Sequence, residues 1–503
     1  MKKIILALVI TLSTTVFANP GDTTWVQANI VNLDYYNNFD TAVAFPNGSV
    51  SYRKILMYFT LGEYTCPSGA TYCHQWDYTV TNYIMTRTGD TAELSRLITP
   101  YANTGTPRFP STWQQHYVYD VTDFVNLLKD SATVRIFYSG YSGGFTANIK
   151  FAFIEGTPTR NVLGYDPLWL GSYSYGNSAD PINSHLPAKQ LTAPANTATT
   201  EMKFTVTGHG SDNNTQCCEF SSHDYSVLLN NGITDTKTIW RGDCGYNELY
   251  AQGGTWIYER GNWCPGSAVN TFTHPLQGIT ANSTYSLGVN FAPYTSTGNY
   301  GNYALEGHVF YYGNFNHIVD ASLEDIIAPT NDENHFRENP SNSYPVVRVK
   351  NNGSSTISSI TFSYNVQDSA ASQYTWNGTL LPLQDTVITL DALNTLTNMS
   401  LSGSNTGINF NFNVQITSVN GSPDEDATNN NFTSSFSVAP VWPSQFIINM
   451  LTNSAGLNWV GSGDASETTW QITDMQGNIV ASRLDDSTNT NYKDTVTLTP
   501  GQF

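Results

Sequence analysis

The sequence predicts an all-β protein made of antiparallel sandwiches or jelly rolls. Apolar and polar residues alternate over short segments, for example at 134–138 and again at 149–153, and turn-forming residues separate such segments at short spacing. Aromatic residues supply 13% of the chain and charged residues 12%, so Asn, Ser, Thr and Gly carry most of the polar surface. These residues favour the turns that connect β-strands. One short helix is expected at 123–128.

The N-terminus has the pattern of a secretory signal peptide. Lys2 and Lys3 precede an apolar run at 4–12, and Val16-Phe17-Ala18 forms a small-residue cleavage site. The alternative is a membrane anchor, but the run is shorter than the roughly 20 residues that cross a bilayer. We therefore expect cleavage after Ala18 and a protein that is secreted, periplasmic or on the cell surface, without a membrane span.

The 503 residues exceed the length of one ordinary domain. The predicted divisions are a signal peptide at 1–18, a first sandwich at 19–158, a second sandwich at 159–315 that begins with an irregular connector up to 200, an immunoglobulin-like sandwich at 316–440, and a partial β-rich module at 441–503 with a turn at 476–478.

The immunoglobulin-like division at 316–440 rests on a change in character along the chain. Cysteines stop, and clean alternation follows at 360–366 and 408–416, as expected for a single immunoglobulin-type sandwich. The Asp424-Glu425-Asp426 turn offers oxygens to calcium. No full ligand loop surrounds it, so we interpret it as an exposed acidic turn.

Charge and cysteine content restrict the partners and the compartment. The formal net charge is −19, which repels phosphate backbones and makes nucleic acid an unfavourable partner. In an exported chain, six cysteines indicate disulfides, and we expect Cys66 with Cys73 and Cys244 with Cys264. The adjacent Cys217 and Cys218 either form a vicinal disulfide or stay reduced. A metal-thiolate site is the weaker alternative, because the sequence lacks a paired CxxC motif.

Two acidic residues lie next to cysteines and aromatic residues. Asp77 ends the run TCPSGATYCHQWD, and Glu219 lies within QCCEF. A large neighbouring ring removes water from a carboxylate, raises its pKa and suits it to proton transfer. The structural alternative is an ordinary loop acid that caps a backbone N–H or pairs with Arg260 or Arg241.

Several nearby residues have the chemistry to hold a sugar. Arg260 offers a planar fork to oxygen acceptors, and the rings of Trp76, Tyr141 and Trp263 are candidates to stack on sugars. Core packing is the alternative for each ring. His74 and His209 lie near these motifs without the HxH or HExxH spacing of a metal site.

Together these segments resemble the peptide-N-glycosidase F family. The matching segments occur in the family's order and are TCPSGATYCHQWD (65–77), RLITPY (96–101), DVTDFVNLL (120–128), EGTP (155–158), VTGHG (206–210), QCCEF (216–220), the segment around Cys244, and GNWCPG (261–266).

The resemblance covers about 20–315 and implies two adjacent jelly-roll sandwiches. Proteins of this family are amidases that cleave the bond between asparagine and the first N-acetylglucosamine of an N-glycan. By resemblance, Asp77 and Glu219 would be catalytic and Arg260 would bind substrate. The expected partners are N-glycosylated proteins or glycopeptides, and the resemblance implies no metal or other cofactor.

The chain also departs from the family pattern. An ungapped count puts Ser139 where the family has a third acid, Tyr78 where it has an arginine, and Tyr141 where it has a ring-stacking tryptophan. The cysteine spacing around the second acid changes too, since Ser221 replaces a family cysteine and Cys218 is new.

Three functions follow for comparison. The first is a secreted N-glycan amidase, favoured by retention of Asp77 and Glu219. The second is a non-catalytic glycan- or glycoprotein-binding protein, favoured by Ser139 and Tyr78. The third is a copper monooxygenase, because peptidylglycine-hydroxylating enzymes share the paired jelly-roll architecture; the absence of HxH spacing disfavours it.

Overall fold

A computed structural model gives the structure of the chain. It describes residues 20–499 except 67, 69, 71, 88, 103–108, 248, 250, 251, 336–343, 403–407, 439–442, 453–468, 474–477, 485, 486 and 488, and of 400–402 only the backbone. The predicted signal peptide at 1–18 and most of the predicted turn at 476–478 lie outside the described residues.

Eight antiparallel strands make up the described part of the first sandwich. These are β1 (Thr23–Leu33), β2 (Asn37–Ala44), β3 (Tyr52–Glu63), β4 (Thr79–Thr86), β5 (Thr91–Ile98), β6 (Gln114–Asp120), β7 (Ser131–Tyr138) and β8 (Phe145–Glu155). One sheet has the order β1-β8-β3-β6 and the other β2-β7-β4-β5. The alternation at 134–138 and 149–153 places its apolar side chains in the core between them, as predicted.

The predicted helix at 123–128 is only partly correct. Thr122–Phe124 forms one turn of 3-10 helix. The backbone N–H groups of Leu127 and Leu128 then donate to the carbonyl of Phe124, which closes a turn and ends the helical segment.

In the second sandwich, the residues that the structure describes also form eight strands. These are β9 (Arg160–Tyr175), β10 (Lys189–Thr192), β11 (Thr199–His209), β12 (His223–Leu229), β13 (Gly232–Ile239), β14 (Thr271–Pro275), β15 (Thr284–Phe291) and β16 (Gly301–Phe315). Its sheets have the orders β14-β11-β16-β9 and β10-β15-β12-β13.

The prediction of an irregular connector at 159–200 is wrong. This segment contains β9, which is 16 residues long and pairs with β16, as well as β10. The sequence pattern conceals β9 because its burial does not alternate, and only Leu168, Trp169 and Tyr175 are fully buried in it. Backbone hydrogen bonds along β16 hold the strand regardless of its polar side chains.

The third sandwich is immunoglobulin-like, as predicted. Its elements are β17 (Ala321–Ala328), β18 (Val346–Asn351), β19 (Ile357–Val366), β20 (Ser372–Leu380), β21 (Asp385–Thr389), α1 (Asn394–Ser402), β22 (Asn409–Val419) and β23 (Asn431–Ser437). The sheets are β17-β18-β21 and β20-β19-β22-β23. Ile408 does not belong to the alternating strand: it precedes β22 and is 49% exposed.

The described part of the C-terminal segment forms two small sheets. Its strands are β24 (Gln445–Leu451), β25 (Trp470–Thr473), β26 (Ile479–Arg483) and β27 (Asn491–Thr497), paired as β24-β27 and β25-β26. Within the described part of the chain, no helix has the length and apolar character needed to cross a membrane.

The third sandwich docks onto the first through polar contacts. Lys54 forms an ion pair with Glu324, and the Gln115 amide donates to Asn334 at 2.7 Å. The acidic turn is not simply exposed, because an oxygen of Asp424 accepts from the backbone N–H of Ala321 at 2.9 Å. The turn therefore packs against the start of β17.

Backbone pairing between the first two sandwiches brings distant segments together. The end of β5 exchanges hydrogen bonds with 266–269: Val269 donates to the Arg96 carbonyl at 2.8 Å, and Gly266 to the Ile98 carbonyl at 2.9 Å. Just beyond β5, Gly253 donates to the Tyr101 carbonyl at 3.2 Å. This seam places the loop 252–269 of the second sandwich against the start of β4.

Candidate functional site

Asp77 lies at the entrance to β4, four residues after a disulfide-closed loop. Cys66 and Cys73 are joined, with their Cα atoms 6.0 Å apart. The backbone of Cys73 forms an isolated parallel β-bridge with Gly143, and the Tyr78 backbone N–H donates to the Thr99 hydroxyl at 2.8 Å. The loop and β4 therefore fix the backbone on both sides of Asp77.

Glu219 is held by backbone contacts to two glycine-containing segments. Its N–H donates to the carbonyl of Gly210 at 3.1 Å, and its carbonyl accepts from Gly261 at 2.8 Å. Gly208 is needed for this close approach, because a Cβ there would lie 2.0 Å from the Cys218 carbonyl oxygen. The packing thus places Glu219 beside the residue that precedes Gly261, which is Arg260.

Arg260 contacts both acidic side chains. Its Nη2 lies 3.7 Å from Asp77 Oδ2, and its Nε donates to Glu219 Oε1 at 3.3 Å. Nη1 donates to the carbonyls of Thr255 and Tyr258, each at 2.8 Å, and Nη2 donates to the Thr255 hydroxyl at 2.6 Å. The guanidinium therefore orients two carboxylates that lie 142 positions apart in the sequence.

Burial raises the pKa of both acids. For Asp77 the main cause is loss of solvent, opposed by a hydrogen bond from the Tyr101 hydroxyl and by the charge of Arg260. For Glu219, burial first and the charge of Asp77 second raise the pKa to about 7, opposed by Arg260. A carboxyl with a pKa near neutrality can both accept and donate a proton at physiological pH.

Tyr101 is a site residue that the sequence interpretation missed. Its hydroxyl donates to Asp77 Oδ2 at 2.6 Å. The signal was present, since Tyr101 closes the RLITPY segment that carries part of the family resemblance. Thr255, which anchors Arg260, and Phe220, whose ring lies 5.0 Å from the guanidinium, belong to the site as well.

The structure corrects the roles expected of Trp263 and Arg260. Trp263 is 2% exposed, and its indole N–H donates to the Gly208 carbonyl at 2.6 Å, so its ring is closed to a stacking sugar. The ring instead supports the Arg260 guanidinium at 4.7 Å. Arg260 itself is 0% exposed, so it acts on the two carboxylates rather than reaching into solvent.

The other predicted substrate contacts fall into two groups. Trp76 and Tyr141 are exposed, which leaves their rings open to a ligand. Tyr78 packs edge-on against Tyr138, with ring centroids 5.6 Å apart. The Ser139 hydroxyl accepts from the Thr79 backbone N–H at 2.9 Å, so this side chain helps to hold the start of β4.

Both predicted disulfides, Cys66–Cys73 and Cys244–Cys264, are confirmed, and Cys217 and Cys218 are joined as well. Among the described residues, two groups have the composition of a metal site. One contains Cys66, Cys73 and His74, whose sulfurs are already bonded to each other. The other contains His317, Asp320 and Asp426, and lies at the third sandwich.

Comparisons with known proteins agree with this architecture. A family model described as "Peptide-N-glycosidase F, C terminal" matches residues 178–307. The protein named peptide-N(4)-(N-acetyl-beta-D-glucosaminyl)asparagine amidase F, from Elizabethkingia miricola, is 26% identical over 281 residues, which are 53% of this chain and 75% of that protein.

Two solved structures share the fold of more than half of this chain. A peptide-N(4)-(N-acetyl-beta-D-glucosaminyl)asparagine amidase superposes with a TM-score of 0.50 and 24% identity, covering 58% of this chain and 97% of that one. PNGase F, a glycosylasparaginase from Flavobacterium meningosepticum, superposes with the same TM-score and identity, covering 58% and 96%.

Proposed function

We propose, from the membership of its two N-terminal sandwiches in the peptide-N-glycosidase F family, that this chain is an exported hydrolase that removes N-glycans from glycoproteins. The bond broken is the amide that links an asparagine side chain to the first N-acetylglucosamine. The observation that carries the proposal is the convergence of Asp77 and Glu219 on the buried guanidinium of Arg260.

The proposed reaction adds water across that amide. Water attacks the amide carbonyl carbon and gives up a proton, the C–N bond breaks, and the amine nitrogen takes up a proton. The products are an aspartate on the polypeptide and a glycosylamine on the sugar. Such a reaction needs a group that exchanges protons near neutral pH and a fixed polar group at the scissile linkage.

The two acids suit these tasks in different ways. Glu219 has a pKa of about 7, which supports a role in orienting water and exchanging its proton. Asp77 is fixed by the Tyr101 hydroxyl at 2.6 Å and lies beside Arg260, which supports a role in contacting the linkage itself. Neither assignment requires a metal ion.

The disulfides support the proposed location. All six cysteines are paired, which is typical of proteins that act in an oxidising compartment outside the cytosol. Together with the signal-peptide pattern at 1–18, this favours a secreted or cell-surface enzyme whose substrates are extracellular N-glycoproteins.

The test is release of an N-glycan by the purified full chain. A denatured N-glycoprotein should lose the mass of its glycan, with a new aspartate at the glycosylated position. Asp77→Asn should abolish release while the protein stays folded. Asp385→Asn is the matched control, because Asp385 is paired with Arg348 on the third sandwich, and it should leave release unchanged. Release that survives Asp77→Asn would refute the assigned role.

A non-catalytic glycan-binding protein is the second candidate. The observation in its favour is Ser139, whose hydroxyl binds backbone at the position where the resemblance leads us to expect a third acid. This candidate predicts that wild-type protein retains the glycoprotein on a column without releasing sugar. Measuring both retention of the glycoprotein and release of its glycan therefore separates the two functions.

A further inference from the structure

We propose that Tyr36 and Tyr141 form an aromatic platform that binds the outer, mannose-bearing part of an N-glycan while its first sugars lie at Asp77. The inference rests on the proposed function and extends it to the length of glycan that the site recognises. Tyr36 belongs to none of the segments that carry the family resemblance.

The two rings are stacked on each other and open to solvent. Their centroids are 5.8 Å apart and their planes differ by 13°. Tyr36 is 58% exposed and Tyr141 is 72% exposed. Phe137 supports Tyr36 from the edge, with centroids 5.3 Å apart. The ring pair therefore keeps outer faces and edges open to solvent rather than completing a core.

The backbone of this turn is unfavourable for tyrosine. Tyr35 has a φ of +31° and Tyr36 a φ of +38°, in a region that glycine and asparagine adopt easily and bulky residues rarely do. Such residues persist where the surrounding structure and a function retain them. Because both side chains are exposed, core packing does not explain their presence.

Sheet order fixes the platform relative to the candidate site. β4, β7 and β2 are successive neighbours in one sheet. At their shared end, the Ser139 backbone N–H donates to the Thr79 carbonyl at 3.0 Å, and the Tyr36 backbone N–H donates to the Gly140 carbonyl at 2.5 Å. The turn at Tyr36 is thus two strand spacings, about 10 Å, from the start of β4 that follows Asp77. That distance suits a short oligosaccharide chain and exceeds a single sugar ring.

The side chains match sugars chemically. A tyrosine ring packs its face against the C–H groups of a pyranose, and its hydroxyl exchanges hydrogen bonds with sugar hydroxyls. Asn37 and Asn38 are exposed at the start of β2, next to the turn; the Asn37 side-chain oxygen accepts from the Asn38 backbone N–H at 2.8 Å, and the Asn38 amide is a further donor and acceptor. These are contacts for a neutral, hydroxyl-rich ligand, so we assign the platform to the glycan and treat the substrate polypeptide as an outcome of the test.

The experiment compares two free sugars binding to the full chain by calorimetry. One is N,N′-diacetylchitobiose, and the other is an oligomannose glycan with that disaccharide at its reducing end. The variant is Tyr36→Asn, because asparagine accepts the positive φ and should keep or raise the melting temperature. The control is Trp25→Ala, which removes another exposed ring at the far end of β1, 52% exposed.

We expect Tyr36→Asn to bind the oligomannose glycan about three- to tenfold more weakly, with diacetylchitobiose binding unchanged. Trp25→Ala should change neither affinity. Equal losses for both sugars, no loss for either, or no oligomannose binding by the wild-type chain would overturn the platform. A weaker binding of Tyr36→Asn to a glycopeptide, with unchanged binding to the free oligomannose glycan, would also overturn the platform.

The two proposals fail separately. Calorimetry with free sugars requires no turnover, so Tyr36-dependent binding without amide cleavage would support the platform and refute the hydrolase. Intact cleavage with an unaffected Tyr36→Asn variant would refute the platform alone.

Discussion

Replacing Arg260 by lysine tests whether the planar guanidinium holds the site together. The side chain is completely buried and donates to Glu219, to the carbonyls of Thr255 and Tyr258, and to the Thr255 hydroxyl. Lysine keeps the positive charge but concentrates its donors on one atom. It cannot satisfy the carbonyls and the carboxylates together.

The expected cost follows from the acceptors left without a partner. About two buried acceptors lose their donor, and each costs about 1–3 kcal/mol, so local stability should fall by about 2–6 kcal/mol. Lysine keeps the charge that lowers the pKa of Glu219 but loses the guanidinium hydrogen bond that also lowers it, so that pKa should move further up in the variant.

Hydrogen exchange followed by mass spectrometry is the suitable assay, because a chain of several sandwiches does not unfold in one two-state step. Peptides covering 255–264 should lose protection in Arg260→Lys. The control is Arg348→Lys, since Arg348 pairs at 2.9 Å with the exposed Asp385 on the third sandwich, a contact worth about 0–1 kcal/mol. Equal protection in the two variants would refute the structural role of Arg260.

Two further predictions concern Glu219 and the glycine behind it. The pKa of Glu219 is raised from 4.5 to about 7, so the protonated carboxyl stabilises the fold below pH 4.5 and this contribution is lost as the pH rises through about 7. Glu219→Gln should therefore flatten the decline of melting temperature between pH 5 and 8, and an unchanged slope would contradict the shift. Gly208→Ala should cost about 1–3 kcal/mol, because its Cβ would lie 2.0 Å from the Cys218 carbonyl oxygen. Gly245→Ala, where a Cβ meets nothing within 4 Å, should be neutral by thermal unfolding, and equal melting temperatures for the two variants would argue against the close approach.

Local patterning determined much of the fold. Strict alternation at 134–138 and 360–366 identified strands correctly, because one face of each strand is buried and the other is not. Where burial does not alternate, as in β9, the same reasoning took a 16-residue strand for a connector. Pairing with β16 decides that segment, and this partner lies about 140 residues further along the chain.

Sequence motifs also identified the candidate acids and two disulfides, since cysteine loops and the collinear family segments are readable along the chain. Tyr101 lies within one of those segments, but its contact with Asp77, like that of Thr255 with Arg260, depends on the fold and not on residue type or spacing.

The sequence by itself determined which residues are candidates for the chemistry, and the tertiary structure decided how they contact one another. Trp263 and Arg260 have the composition of a sugar-binding surface, yet the seam between the first two sandwiches buries both, and they become the support of Asp77 and Glu219. Burial and mutual charge shift the pKa of the two acids, and both effects depend on distances between segments that no local pattern encodes.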